Sequence, residues 1–485
     1  MNFRLASVIK LSVLYFLAFT LFGAGETLMA YLFELIGLGK LGQANVFSMY
    51  AGFFISAFFG KSLLNLFKSL KMAIFVGFLF YTNLMLSGMF AFYCKHDNFE
   101  GACSKDSVRW FNYIAAFLLG CPGGALVWTG QYEFIDWMGD TQAEIKQFFS
   151  IFFGILQIST ITGNVFNLLF YSFTFDTQFY FRVLFFLTLG LTVLILIILP
   201  SKKPATNVEV DGNGIVDEEI RAKNTEPKNE IEKENVGLEA NQNIPVLDVQ
   251  PDQRRGRDQE QLGNQEVTIK ESLNKFFTLL FVPNILRIWP YMILSGVFQG
   301  YLASAIYRLV LIVYKDSDQD FNKRVISVIM IGHGIAGCLT SALLGSLKIN
   351  LLTTTMKINA LLTAAVMLLV YTFDHLVTEM WIIVIVGFIT GGINVTFNIT
   401  NSTYMSTVYP GTTEAFLIFK QFQNLFTAVF AIFFIILSES AFKITFSVLC
   451  TVLTVAFVLT KMDDLSHEEA NKSPTNESIN LKKAL

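Results

Sequence analysis

Long apolar runs of one recurring length constrain this chain more than any other feature. A helix rising 1.5 Å per residue needs roughly 20 apolar residues to cross the ~30 Å hydrocarbon core of a bilayer. Six such runs fall near Ile9–Phe33, Ala44–Leu66, Met72–Tyr93, Trp110–Gly130, Phe148–Ser172 and Tyr180–Leu199. Six more fall near Trp289–Tyr314, Val325–Leu347, Leu351–Tyr371, Met380–Ile399, Ala415–Leu437 and Ala441–Thr460. With 53% hydrophobic residues, 15% charged and 50 phenylalanines in 485 residues, a soluble fold would expose sticky surface that lipid accepts without cost. The chain therefore reads as an integral, multi-pass membrane protein with the bilayer as its principal partner. Arg4 and Lys10 open the first run in the manner of a signal peptide. Its apolar stretch is longer than a signal core, so it reads as a retained first span.

The runs divide six and six around a different material. Residues 200–272 are polar, with runs such as Asp217–Glu219 and Glu232–Asn235 that bury too little apolar area to offset chain entropy. The expected organisation is a six-span bundle over 1–199, a disordered cytosolic linker over 200–272, a second six-span bundle over 273–462 and a disordered cytosolic tail over 463–485. Arg254–Arg257 in the linker reads as a solvated charge cluster. Lys61, Lys68 and Lys71 flank the second and third spans, and Lys348 and Lys357 hold the corresponding place in the second half. The positive-inside rule makes those loops cytosolic. An even number of spans then puts both termini and the linker in the cytosol, in the plasma membrane or an endomembrane. The sequons at Asn398, Asn401, Asn471 and Asn476 are not expected to carry glycans in that topology. The loop CKHDNFEGAC lies on the opposite side, where Cys94 and Cys103 are a candidate disulfide; two unpaired thiols are the alternative.

Each half carries a polar interruption in its fourth span. GGALVWTGQYEF (123–134) moves from small residues to an indole and an amide. Gly120, Gly123, Gly124 and Ala125 offer the close approach on which helix packing in lipid depends. Trp128 and Tyr132 suit a membrane–water interface, and Thr129 and Gln131 need partners, expected from Asn394, Asn398, Asn401 or Gln423 in the other half. That other half has GGINVTFNITNSTY (391–404), and Lys146-Gln147-Phe148 recurs as Lys420-Gln421-Phe422.

Two six-span halves joined by a long linker resemble the major facilitator superfamily, an all-α fold with parallel repeats about an axis along the membrane normal. Within it, FLLGCPGGALVWTGQYEF (117–134) resembles the Gly-Ala-x-Trp-x-x-Gln-x-Tyr signature of the uncoordinated-93-like family. GNVFNLLFY from Gly163, SGVFQGYLASAIY (295–307), GGINVTFNITNSTY and EAFLIFKQFQNLFTAVF (414–430) resemble further segments of that family, and Tyr50 and Tyr81 also fit. The resemblance implies a regulator or escort: relatives are linked to a potassium-channel complex, to ion homeostasis and to escorting innate immune receptors. An ion channel or receptor partner is the corresponding expectation.

The residues themselves leave a second class open, a secondary transporter of a small solute coupled to a proton or cation. Ionisable and amide groups at membrane depth are its candidate path. These are Glu26, Gln131, Asn164, Gln299, His333, Asn394, Asn398, Lys420 and Gln423. A hydrogen-bonded carboxyl is the plainer account of Glu26, and a packing histidine that of His333. Arg308 is a candidate to snorkel outward or to face Glu26, and Lys420 a candidate ion-pair partner of Glu414. The loop GKSLLNLFKSLK lacks the Asp-Arg pair that sugar-porter-like facilitators carry there, which counts against an ordinary transporter gate. No GxxxxGK[ST] loop, metal-ligand cluster or catalytic constellation is present, so neither ATP-driven pumping, a cofactor nor enzymatic activity is expected. A net charge of −3 carries no sign of a nucleic-acid partner.

Overall fold

The computed structural model describes residues 3–67, 69–139, 141–172, 176–199, 269–304, 310, 319–346, 351–371, 379–409 and 413–461. The polar stretch up to residue 268, the tail from 462, and Lys68, Arg308 and Lys348 lie outside the described residues.

Helices carry nearly all of what is described, and no strand occurs among the described residues. The first half comprises α1 (Phe3–Leu35), α2 (Leu41–Ala57), the short α3 (Gly60–Asn65), α4 (Leu70–His96), α5 (Lys105–Leu118), α6 (Gly130–Met138), α7 (Gln142–Ser172) and α8 (Thr177–Ile198). The second comprises α9 (Ile269–Leu280), α10 (Pro283–Ser304), α11 (Gln319–Ser346), α12 (Leu352–Tyr371), α13 (Met380–Val408), α14 (Thr413–Ile436) and α15 (Glu439–Leu459). Residues 269–272, expected in the linker, belong instead to α9, an amphipathic helix that meets α10 at a bend of 83°. Helices α5 and α6 form one crossing, joined by a π-helical stretch, Leu119–Thr129, that contains Pro122.

Ten crossings have the length and hydropathy of complete spans. The remaining two of the twelve are α2, with 17 residues, and α10, which carries Pro290 inside it. The architecture is an all-α, twelve-helix bundle built as two six-span halves.

Successive crossings alternate direction. The loop after α2, the C-terminal end of α8 and helix α9 therefore share one end of the bundle, here the linker face. The loop of Cys94 and Cys103 sits at the other, the disulfide face. Across the two halves α7 packs on α11 and α2 on α14. These are spans five with eight and two with eleven, which is what a two-fold relation between halves requires.

Small residues set the closest crossings. A Cβ on Gly120 would strike the backbone of Met49, one on Gly123 the Phe80 side chain and one on Gly124 the Phe53 ring. The small-residue face anticipated in the fourth span thus seats α2 and α4. The π-helical turn displaces carbonyls from their usual partners, and the Tyr15 hydroxyl donates to Val127 O at 2.6 Å.

Cys94 and Cys103 are joined by a disulfide that closes the turn after α4. A loop this short removes about 2–3 kcal/mol of chain entropy from the unfolded state. Cys94→Ser is accordingly expected to lower the thermal midpoint of the purified protein. The same fall should follow dithiothreitol in the native chain, and no further fall in the variant; equal midpoints would refute it.

Candidate functional site

A cavity of about 290 Å³ lies at the centre of the bundle, lined from both halves. Helix α1 supplies Phe19, Phe22 and Glu26, and α2 supplies Tyr50 and Phe53. Tyr81 enters from α4, Trp128 from the π-helical stretch, and Gln157, Thr160 and Asn164 from α7. The second half contributes Gln299 on α10, His333 on α11, Asn394 and Asn398 on α13, and Phe416, Lys420 and Gln423 on α14.

Glu26 follows Gly23 and Gly25 on α1, whose backbone is held there by α7. Asn167 Nδ2 donates to Ala24 O at 3.1 Å and itself accepts from the Tyr180 hydroxyl at 2.6 Å. Gly163 of α7 meets the Thr20 carbonyl. Glu26 makes no hydrogen bond or ion pair among the described residues, and the Tyr50 and Tyr81 hydroxyls lie within range of its charge. Those two tyrosines are oriented by other donors. Gln299 Nε2 donates to Tyr50 OH at 3.2 Å, and Trp128 Nε1 donates to Tyr81 OH at 3.0 Å. Each hydroxyl has therefore used an acceptor site and keeps its own proton for a further partner.

Lys420 lies two turns into α14 from the linker face. Its ammonium donates to Asn398 Oδ1 at 3.0 Å and to Gln423 Oε1 at 2.9 Å. The Phe419 ring centroid is 4.7 Å away, that of Trp128 5.8 Å and that of Phe416 5.9 Å. Two neutral oxygens and ring faces hold this cation, and no carboxylate pairs with it among the described residues. The expected Lys420–Glu414 pair does not form. Glu414 instead sits at the linker face, where Lys61 approaches to 3.9 Å and Lys275 to 3.2 Å. Six residues separate Glu414 from Lys420, too many for the i,i+3 or i,i+4 contact of one helix face.

That same end is closed by further contacts between halves. The Tyr132 ring stacks on Phe416 at 4.1 Å, and Gln421 Nε2 donates to Phe54 O at 3.2 Å. Ser341 Oγ donates to Ser150 O at 2.8 Å. At the disulfide face, Lys40 Nζ donates to Ile435 O at 2.7 Å and Lys323 lies over the Tyr171 ring at 4.5 Å.

Of the nine path candidates, eight line the cavity and Gln131 does not. Gln131 is fully buried, and neither atom of its amide finds a partner among the described residues. The expected bonds to Asn394, Asn398, Asn401 or Gln423 are absent, and the neighbouring Tyr132 ring stacks on Phe416. Trp128 and Tyr132 are also not interface anchors: one faces the cavity, and the other is 1% exposed in the core. His333 is buried against α13, with Nδ1 3.2 Å from Thr390 Oγ1. Gln157 and Thr160 also line the cavity, and no sequence motif named them. The spacing 157, 160, 164 places the first two on the face of Asn164 and would have found them.

A family model described as Major Facilitator Superfamily matches residues 11–431. Among curated relatives, Protein unc-93 homolog A of Bos taurus is 26% identical over 174 residues, which are 34% of this chain and 34% of that protein. The match thus spans about a third of the relative's length. With its paired six-span halves and a superfamily match running through both of them, the chain belongs to the major facilitator superfamily.

Proposed function

We propose that the chain is a non-enzymatic secondary transporter that moves a small polar solute by alternating access, with the linker face in the cytosol. The observation that carries this reading is the central cavity, whose wall combines a carboxylate, an ammonium, an imidazole and amides from both halves. Charged groups at membrane depth are costly and are retained where they meet a solute or ion. The contacts at the linker face, Glu414 with Lys61 and Lys275 and Tyr132 on Phe416, act as a gate that must break when that face opens. The lysines of that face favour its cytosolic placement.

A second reading is a non-transporting regulator or escort of an ion channel or receptor, including one that serves potassium homeostasis. The loop around Lys61, without the Asp-Arg pair of sugar-porter-like gates, favours it.

Spin-label distances separate the two. Cysteines at Leu66 and Ser346 report the linker face, and cysteines at Asp106 and Glu379 the disulfide face, with Cys121, Cys338 and Cys450 replaced by serine. Alternating access predicts two populations at each face in reciprocal proportion, with the linker face opening as the disulfide face closes. A single fixed distance at both faces would remove the transporter reading and leave the regulator.

A further inference from the structure

The two unlike charges of the cavity are not partners of each other. Glu26 projects from α1 of the first half, two and a half turns before that helix ends at the disulfide face. Lys420 projects from α14 of the second half, two turns in from the linker face. No ion pair joins them, and neither has another counter-ion among the described residues. An ammonium has three N–H donors; Asn398 and Gln423 take two, leaving one without an acceptor among the described residues. Holding a charge away from bulk water without a counter-ion is expensive, so a cavity with an acid and a base left unpaired among the described residues is complementary to an occupant that supplies both partners. Aromatic rings line the wall as well: Phe19, Phe22, Trp128, Phe153 and Phe416. A volume of about 290 Å³ is close to the lower bound of ligand sites, ~300–1,000 Å³, and suits a small solute.

We propose that the solute is a small amphipathic zwitterion. Its anionic group meets Lys420, its cationic group meets Glu26 with the Tyr50 and Tyr81 hydroxyls beside it, and an apolar body lies against the aromatic wall. This rests on the transporter reading only for what happens to the solute afterwards; the binding claim stands on the cavity alone.

Three probes that share one apolar body test it: phenylalanine, 2-phenylethylamine and 3-phenylpropionate. Binding is measured by thermal shift and calorimetry on the full-length purified protein. Phenylalanine is expected to bind roughly ten-fold or more tightly than either singly charged probe, since each loses one charge partner. In Lys420→Met, phenylalanine and 2-phenylethylamine should bind alike, while 3-phenylpropionate remains weaker. In Glu26→Gln, phenylalanine and 3-phenylpropionate should bind alike, while 2-phenylethylamine remains weaker. Lys420→Arg should keep the wild-type order. Each variant retains one discrimination, so a loss caused by misfolding is distinguishable from loss of a charge. Equal binding of all three probes to the native protein, no binding of any at 10 mM, or unchanged discrimination in both variants would overturn the zwitterion. Binding of 3-phenylpropionate that matches phenylalanine only in high sodium or potassium would overturn it in favour of an anion carried with a separate cation. If the probes behave as expected but the faces do not alternate, the ligand class stands and transport falls; the reverse result leaves transport standing without this ligand.

Discussion

Gly391→Val is expected to be the most damaging single substitution in the second half, with a loss of about 3 kcal/mol or more and a sharp fall in monodisperse protein. A Cβ on Gly391 would land on the His333 carbonyl carbon and oxygen, with its Cα 2.8 Å away. Gly387, one turn earlier, meets Ile329 in the same crossing, so α13 presents a small-xxx-small face to α11. The obstacle is backbone rather than a flexible side-chain end, so the two helices must separate. Separation would also pull Thr390 from His333 and open the cavity wall. Gly391→Ala should fall between native and Val. Gly190→Val is the control, because Gly190 is an exposed position of α8 where a Cβ meets nothing within 4 Å. Thermal midpoints and size-exclusion profiles in detergent decide it: if Gly391→Val behaves like Gly190→Val, the crossing is not the tight one described.

Charge reversal at the linker-face gate should give the largest conformational effect. Glu414 is 3% exposed, whereas its two lysine partners are a quarter to a third exposed. Glu414→Lys converts two attractions into a cluster of three ammonium groups. Solvent screening limits each partly exposed pair to somewhat under ~1 kcal/mol, so the two together are worth about 1–2 kcal/mol. That is roughly a ten-fold shift in the ratio of closed to open linker face. The Leu66–Ser346 distance distribution should move towards the longer distance, and adding Lys61→Glu with Lys275→Glu should restore it. An unchanged distribution in Glu414→Lys would show that Tyr132 on Phe416 and the α7–α11 packing hold the face without the charges.

Much of this was legible in the primary structure because lipid simplifies the reading. Backbone groups in hydrocarbon must pair within their own segment, so each long apolar run is a helix, and run length gives span number. The runs near Ala44–Leu66 and Trp289–Tyr314 overlap α2 and α10, two helices that fall short of a regular complete crossing. The cavity residues Glu26, His333 and Lys420 stand out for the same reason: ionisable groups are rare at membrane depth. What the sequence mis-assigned depended on rotation about a helix axis. Trp128 and Tyr132 suit an interface by composition, and Gln131 suits a cavity. The π-helical turn around Pro122 breaks the 3.6-residue period there, so adjacent side chains point where regular spacing does not place them.

The sequence by itself determined the helices, their number, the division into two halves and the small-residue faces that let them approach. Those are local or pairwise properties, set by hydropathy, length and side-chain size. The tertiary structure alone decided which charges meet. Glu414 turns to Lys61 and Lys275, residues far from it in sequence, while Lys420 is left to amides and rings. Electrostatic partnership depends on distances across the interface between halves, and α2 against α14 and α7 against α11 are packings that no single segment encodes.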